Sequence, residues 1–532
     1  MADGSADQAR LVDALARGAL LGRRRQGGGI RVIETHISYV LLTGAHAYKI
    51  KKAVKFEFLD FTTLPVRRHC CEEELRLNRR LAPEIYLDVV AITGTFDDPE
   101  VGGTGEALEY AVRMREFPQD ALASVLLARN ELSGGDIDAL ADQVAAFHAS
   151  AEVARAEDGF GVPQDILGLA AANLAQIRTH ATTLDERDAI EALAAWTGSE
   201  YLAREPTLRA RRDGGFIREC HGDLHLGNMA RVNGRLTIFD CIEFNAAMRW
   251  IDVMSEIAFT VMDLEDRGRR DLARRFLNAY LEITGDYAGV RVLRFYLAYR
   301  ALVRAKIHRL RAAQLESGAA QASALAEYRG YVDLARSYAR QRRAAIVLTH
   351  GPSGCGKTAL SQALLEATEA VRIRTDVERK RLHALAPRER GGADIGRGLY
   401  TPEATDATYR RARALAAEVV SAGFVALVDA TSLQRWQRDL FRTLASDLGV
   451  PFVIVAFVAR ESVMRWRIER RAAEGGDASD ADLAVLEHQL RTRQPLADDE
   501  RADVVDYDAE RSLESARLPE TWRGVLDRIE RP

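Results

Sequence analysis

Residues 30–120 alternate apolar and polar positions with a period of two, in IRVIET, YVLLTG, AYKIKK, YLDVVAITG and ALEYAVRMREF. Successive side chains of a strand point to opposite faces, so this pattern predicts a sheet. One stretch, RRHCCEEELRLNRRLA, breaks the alternation and reads as a helix. From 121 to 340 the spacing is mostly helical, apart from a strand-rich island at 216–244. A new unit opens with the apolar strand AAIVLTH, and FVALVDAT and PFVIVAFV follow between helical stretches. Strands alternating with helices predict a parallel α/β sheet. The expected domains are a flexible N-terminal segment over 1–29 (a short amphipathic helix and a Gly/Arg linker), a first domain over 30–335 and a second over 344–532. The boundary falls in the long charged helix pattern around 312–342.

Bulk properties narrow the class. A chain of 532 residues is too long for one ordinary core. Hydrophobic residues make up 47%, a globular value. The formal charge of −4 argues against long nucleic acid held by bulk charge. The five cysteines are irregularly spaced and form no C-x-x-C, so neither a disulfide framework nor a zinc ribbon is expected, and a reducing cytosol fits. No apolar run reaches the roughly eighteen residues of a membrane span. The acidic start does not match a signal peptide, and a cytoplasmic protein is expected. Lysine is scarce beside arginine: Lys49, Lys51, Lys52, Lys55, Lys306, Lys357 and Lys380. A lysine kept against that bias points to a need for a compact ammonium.

Two readings compete for CHGDLHLGNMARVNGRLTIFDCIEF at 220–244. His221 and His225 have the i, i+4 spacing of a helical zinc site, but Gly222 and Gly227 disfavour a helix and no Glu follows His221. A phosphoryl-transfer reading uses more of the residues. In H-x-D-x-x-x-x-N the Asp takes the proton of the attacking hydroxyl and the Asn holds magnesium, and Asp223 and Asn228 have this spacing. Asn233-Gly234 is a hairpin signal that returns Asp240, a second metal ligand, beside Asn228. Upstream, Lys49 is placed to reach the α/β-phosphates of ATP. Glu72, Glu73 or Glu74 is its ion-pair partner, with Glu74 preferred. EYAVRMREF is expected to be an edge strand and hinge that reads adenine by its backbone. The ETHISYV loop over the phosphates lacks glycine, leaving backbone amides and the Thr35 and Ser38 hydroxyls to cap them. His148 and Asp252 read as packing and structural residues.

HGDLHLGN followed by FDCIEF resembles the aminoglycoside phosphotransferase and choline kinase-like group over about residues 30–330. That resemblance implies the bilobal protein-kinase fold. It does not by itself make an aminoglycoside the substrate.

Residues 351–358, GPSGCGKT, form a complete G-x-x-x-x-G-K-T between an apolar strand and the helix pattern ALSQALLEA, the context of a P-loop. Gly351, Pro352, Ser353, Gly354, Cys355 and Gly356 would present backbone N–H groups to phosphate. Lys357 would reach the β/γ-phosphates and Thr358 would hold Mg2+. Asp376, at the end of the second strand, is the expected base, with Arg379 one turn on as a substrate contact. Asp429 takes the Walker-B-like position as a metal ligand. Arg467 and Arg471, in a lid-like segment, would clamp the transferring phosphate.

This half is similar to the zeta-toxin, chloramphenicol phosphotransferase and polynucleotide 5′-kinase group. The combination resembles bacterial two-domain proteins described as an aminoglycoside phosphotransferase fused to an ATP-binding protein. The resulting expectation is a bifunctional phosphotransferase using ATP and Mg2+ on hydroxyls of unidentified small-molecule or phosphorylated substrates. Two alternatives stand beside it: a ligand-binding pseudokinase that regulates the P-loop half, and a switch ATPase in place of a P-loop kinase.

Overall fold

Strand alternation fixes which side of the first sheet meets which helix. In the computed structural model the described residues are 2–18, 30–56, 59–340, 344–386, 389, 398–474 and 482–530. They divide into two units interleaved in sequence: 1–136, 146–166 and 209–263 form one, and 137–145, 167–208 and 264–532 the other.

The first unit carries a six-stranded antiparallel sheet, in the order Arg31–Glu34, Ser38–Leu42, His46–Lys51, Glu109–Arg115, Tyr86–Gly94, Pro99–Val101. Ala47, on one face of the third strand, packs with Cys71 of the helix Leu64–Asn78 and with Tyr86 and Val112. Ile50, on the other face, packs with Leu11, Val12 and Leu15. Those three belong to the helix Ala2–Arg17, so the stretch expected to be a flexible appendage is docked on the sheet as far as it is described. The Gly/Arg linker at 19–29 lies outside the described residues.

Glu109–Arg115 was expected at the edge. It is interior, because Tyr86–Gly94 and Pro99–Val101 extend the sheet beyond it. Two short antiparallel pairs follow: Met229–Val232 with Arg235–Ile238, and Ile217–Glu219 with Trp250–Asp252. The first pair turns at Asn233 and Gly234, both with positive φ (51° and 78°), as an Asn-Gly hairpin requires.

The second unit is built on a five-stranded parallel sheet, in the order Ala370–Arg374, Val425–Asp429, Ala345–His350, Phe452–Val458, Val504–Asp508. The P-loop strand sits in the middle, buried on both faces, which accounts for its unbroken apolar sequence. The helices Arg270–Thr284, Val290–Gln314 and Ala319–Ala339 belong to this unit as well. The packing division therefore falls near 264, not at the charged helix around 340. The reason is the sheet edge: the open side of Ala370–Arg374 takes its hydrogen bonds from Asn278 and Tyr287. Among the described residues no helix is long and apolar enough to cross a membrane.

Candidate functional site

Lysines two apart in a strand share a face, and Lys49 and Lys51 both point at the helix Leu64–Asn78. Lys49 Nζ lies 2.8 Å from Glu74 and 2.5 Å from Asp240. Lys51 pairs with Glu74 and with Glu243. Five charges thus run in one chain: Asp240, Lys49, Glu74, Lys51, Glu243. Burial works against charge on Lys49, but Asp240 and Glu74 outweigh it and hold the ammonium well above its ordinary pKa. The surrounding protein likewise disfavours a charged Asp240, and Lys49 more than compensates, so Asp240 titrates below the usual range. Its side chain is still 42% exposed and available to a ligand.

The hairpin brings Asp240 back as its register requires. Met229 pairs with Ile238, and Phe239 N–H donates to Asn228 O at 2.9 Å, so Asp240 follows immediately. Asp240 has φ +66°, and its N–H donates to the Tyr86 hydroxyl. Asn228 Nδ2 donates to Asp223 Oδ2 (2.9 Å) and to Asp223 O (3.0 Å). Asp223, 36% exposed, also faces His225 Nε2 at 3.4 Å.

The two histidines of the zinc reading go separate ways. His225 Nδ1 accepts from Gly227 N–H. His221 is buried, and burial lowers its pKa, so it stays neutral. Its Nε2–H donates to Phe239 O, which leaves Nδ1 to accept from Asp223 N–H.

The loop is held from behind by one face of the helix Val253–Asp266, at positions i, i+4 and i+7. Glu256 accepts from the N–H groups of His221 and Gly222 (2.9 and 2.6 Å), Thr260 Oγ1 donates to Leu224 O, and Asp263 accepts from Leu226 N–H. Burial opposes charge on Glu256, yet its bonds to His148 and the loop draw its pKa down to about 2. His148, Cys220 and Glu256 lie close enough to hold a metal ion. The oxygens of Glu256 are already taken by the loop and by His148 (3.2 Å), so this cluster works as an anchor. Asp252 is buried in a two-pronged pair with Arg211.

The turn between the first two strands does not offer its hydroxyls to phosphate as expected. Thr35 Oγ1 accepts from Ser38 N–H and donates to Ser38 O, closing its own turn, and the Ser38 hydroxyl is fully buried.

In the second unit Gly351, Gly354 and Gly356 have φ of +146°, +80° and +97°. A Cβ on Gly354 would stand 2.5 Å from Met464 O, so no side chain fits there. With Pro352 and Cys355 between them, these glycines wrap the loop onto the start of the helix Lys357–Ala367. Ser353 N–H donates to Gln489 Oε1, and Lys357 Nζ folds back to Pro352 O at 2.8 Å. Thr358 lies in the first helical turn. Asp429 ends its strand and accepts from Ser361 Oγ at 3.0 Å.

Asp376 opens the helix Thr375–Leu382. Burial raises its pKa, against the pull of Arg379 and Arg374. Arg379 is buried: Nη1 donates to Leu399 O and Thr405 Oγ1, and Nε has no acceptor among the described residues. Arg467 was expected to clamp phosphate. It donates instead to two backbone carbonyls, Cys355 O (3.0 Å) and Ala509 O (2.8 Å). Arg471 lies on the same helix, Glu461–Glu474, but its side chain is outside the described part.

Both centres offer hard oxygen donors, Asn228 with Asp240 and Thr358 with Asp429, a set that suits Mg2+ and not a soft metal. The sequence reading missed Lys51, Glu243, Glu256, Thr260, Asp263 and Ser361. Only Lys51 carried a signal: the strand period and the scarcity of lysine.

Residues 66–296 match the Phosphotransferase enzyme family, and residues 346–496 match an AAA domain family. An uncharacterized protein of Mycobacterium tuberculosis strain H37Rv, Rv2004c, is 31% identical over 497 residues, 93% of this chain and 96% of its own. A counterpart in Mycobacterium bovis, the uncharacterized protein Mb2027c, matches to the same extent. Among solved structures, an ethanolamine kinase of Plasmodium vivax is 11% identical, over 62% of this chain and 88% of its own, with a TM-score of 0.38. A gluconokinase of Sinorhizobium meliloti is 20% identical, over 36% of this chain and 96% of its own, with a TM-score of 0.26.

Proposed function

Since the chain belongs to the family of two-domain proteins that join a phosphotransferase-type kinase-like domain to a P-loop kinase-like domain, we propose that it is a bifunctional ATP- and Mg2+-dependent phosphotransferase. Each centre moves the γ-phosphoryl group of ATP to a hydroxyl. The observation that carries this reading is that Lys49, Glu74 and Asp240 meet Asp223 and Asn228 through the hairpin, where Phe239 N–H donates to Asn228 O directly before Asp240. An intact set of this kind gives no support to a regulatory pseudokinase.

In the first centre Asp223 accepts the proton of the attacking hydroxyl. Asn228 fixes the Asp223 carboxylate and, with Asp240, holds the metal. Lys49, oriented by Glu74, meets the α/β-phosphates. In the second centre the N–H groups of 351–356 and Lys357 cradle the phosphates, and Thr358 and Asp429 hold the metal. Asp376 takes the acceptor's proton, and Arg379 binds an anionic group of a small phosphorylated acceptor. Magnesium, when bound, offsets charge on the β- and γ-phosphate oxygens.

Calorimetric titration of Mg·ATP into the full chain tests the reading. Two sites per chain are expected, one lost in Lys357→Ala and the other weakened in Asp240→Asn. Asp223→Asn should retain both sites while abolishing acceptor phosphorylation by the first. A single site, or unchanged turnover in Asp223→Asn, contradicts it.

A further inference from the structure

We propose that Glu282 is a positioning residue of the P-loop centre, which keeps two arginines off the metal-binding carboxylate. The proposal rests on the P-loop reading above.

Glu282 lies on the helix Arg270–Thr284, 63 residues before the P-loop strand begins at Ala345 and within the stretch matched by the phosphotransferase family. The same helix covers the edge of the parallel sheet. Asn278 Oδ1 accepts from Arg372 N–H (2.6 Å), its Nδ2 donates to Ala370 O (3.1 Å), and Tyr287 OH donates to Arg372 O. One side chain thus satisfies a donor and an acceptor of the edge strand, and its registry with that strand is fixed.

This registry sets Glu282 between the two arginines of the edge strand. Arg372 Nη2 and Nε lie 2.7 and 2.8 Å from its Oε1, and Arg374 Nη1 lies 3.6 Å from its Oε2. Arg381 Nη2 donates to Glu282 O at 2.5 Å, which ties down its backbone. Beyond the arginines lies the metal centre. Arg372 Nη1 reaches Thr358 O and Ser361 Oγ (3.4 and 3.3 Å), and Ser361 Oγ donates to Asp429. Arg374 Nε stands 4.0 Å from Asp429 Oδ2, at the limit of an ion pair.

Two guanidinium groups beside one buried carboxylate would form tight pairs with it and compete with a cation for its oxygens. Glu282 supplies a counter-charge on the far side. It holds Arg374 back from Asp429 and keeps Arg372 on the outer face of Ser361. Asp429 is left with a neutral hydroxyl donor and an oxygen for the metal.

The test measures nucleotide binding by the full chain, scored as the component absent from Lys357→Ala, across a Mg2+ titration and in EDTA. In Glu282→Gln, Arg374 closes on Asp429, and the Mg2+ concentration for half-maximal affinity should rise about fivefold to tenfold while affinity in EDTA is kept. Glu282→Asp should fall between. Arg374→Gln should lower the Mg2+ requirement, and the Glu282→Gln/Arg374→Gln pair should return it toward wild type. An effect equal with and without Mg2+ would mean that Glu282 merely supports the fold, and it overturns the proposal. So does an unchanged Mg2+ midpoint in Glu282→Gln, or no effect of Arg374→Gln. Should Glu282→Gln fail to fold, Arg374→Gln still decides, because its shift runs in the opposite direction. Failure of the P-loop reading itself would appear separately, as nucleotide binding that survives Lys357→Ala.

Discussion

Lys51 shows what a single residue contributes out of sight of substrate. Its ammonium is fully buried between two carboxylates, and every charge in the row from Asp240 to Glu243 depends on its neighbour. Glu243 titrates above the ordinary carboxylate range because burial outweighs the pull of Lys51. Removing one member of a buried pair leaves the other uncompensated, so Lys51→Met should destabilise the first unit by about 3–5 kcal/mol in urea unfolding. Adding Glu243→Gln should recover about 1 kcal/mol or more of that loss. Strict additivity of the two substitutions would show that they do not form one network. Asp376 carries the opposite sign. Burial raises its folded pKa, so its ionised form costs stability above that pKa, and the cost fades as pH falls toward the unfolded value. Asp376→Asn should therefore raise the melting temperature at pH 7 while lowering transfer by the P-loop centre about 10²–10⁴-fold. A lower melting temperature in that variant contradicts the assignment of a strained base. The contact of Asp223 with Asn228 was legible because both lie in one loop, and the turn before Lys357 because its glycines lie together in another. Glu256 was not, since nothing in the sequence near it says that its carboxylate will cap the N–H groups of a loop 34 residues away.

Among elements, those with a clear period were legible. The strand of Lys49, the Asn-Gly hairpin and the apolar P-loop strand all lie where alternation and turn chemistry put them. Position within a sheet was less so. Glu109–Arg115 reads the same at an edge as in an interior, and only the later pairing with Tyr86–Gly94 decides. The N-terminal helix lies where it was expected, but its docking was not legible, for a related reason. Its apolar stripe was visible, but the surface that buries Leu11 and Leu15 is made by strands thirty to a hundred residues on. The helix Val253–Asp266 shows one face put to a second use: three polar residues at helical spacing fasten the loop at 221–226 where apolar packing alone would let it slide.

At the scale of the whole chain, the two family regions meet inside one packed unit, not at a linker. The helices from 270 to 339 belong to the same packed unit as the P-loop sheet, and Arg275 pairs with Glu366 on the P-loop helix. A fragment of residues 344–532 would expose the N–H of Arg372 and the C=O of Ala370 and Arg372 along an open edge. It should be less soluble and melt lower than a fragment of residues 264–532, by light scattering and calorimetry on matched samples. Equal behaviour would mean that the edge needs no cover. The sequence pointed to a cut near 340 because a charged helix resembles a linker in composition, and the hydrogen bonds that argue otherwise come from one asparagine and one tyrosine.

The asparagine has a consequence in time as well. Asn278 leaves the ribosome 92 residues ahead of Ala370. At about 5–20 residues per second the covering helix has roughly 5–20 s to form before its strand is made. The Ala370–Arg374 edge of the second sheet is therefore born facing its own cap, and a nascent chain in a crowded polysome has little chance to pair it with a neighbour. A circular permutation that placed 344–532 first would make the strand before its cap and lose that head start.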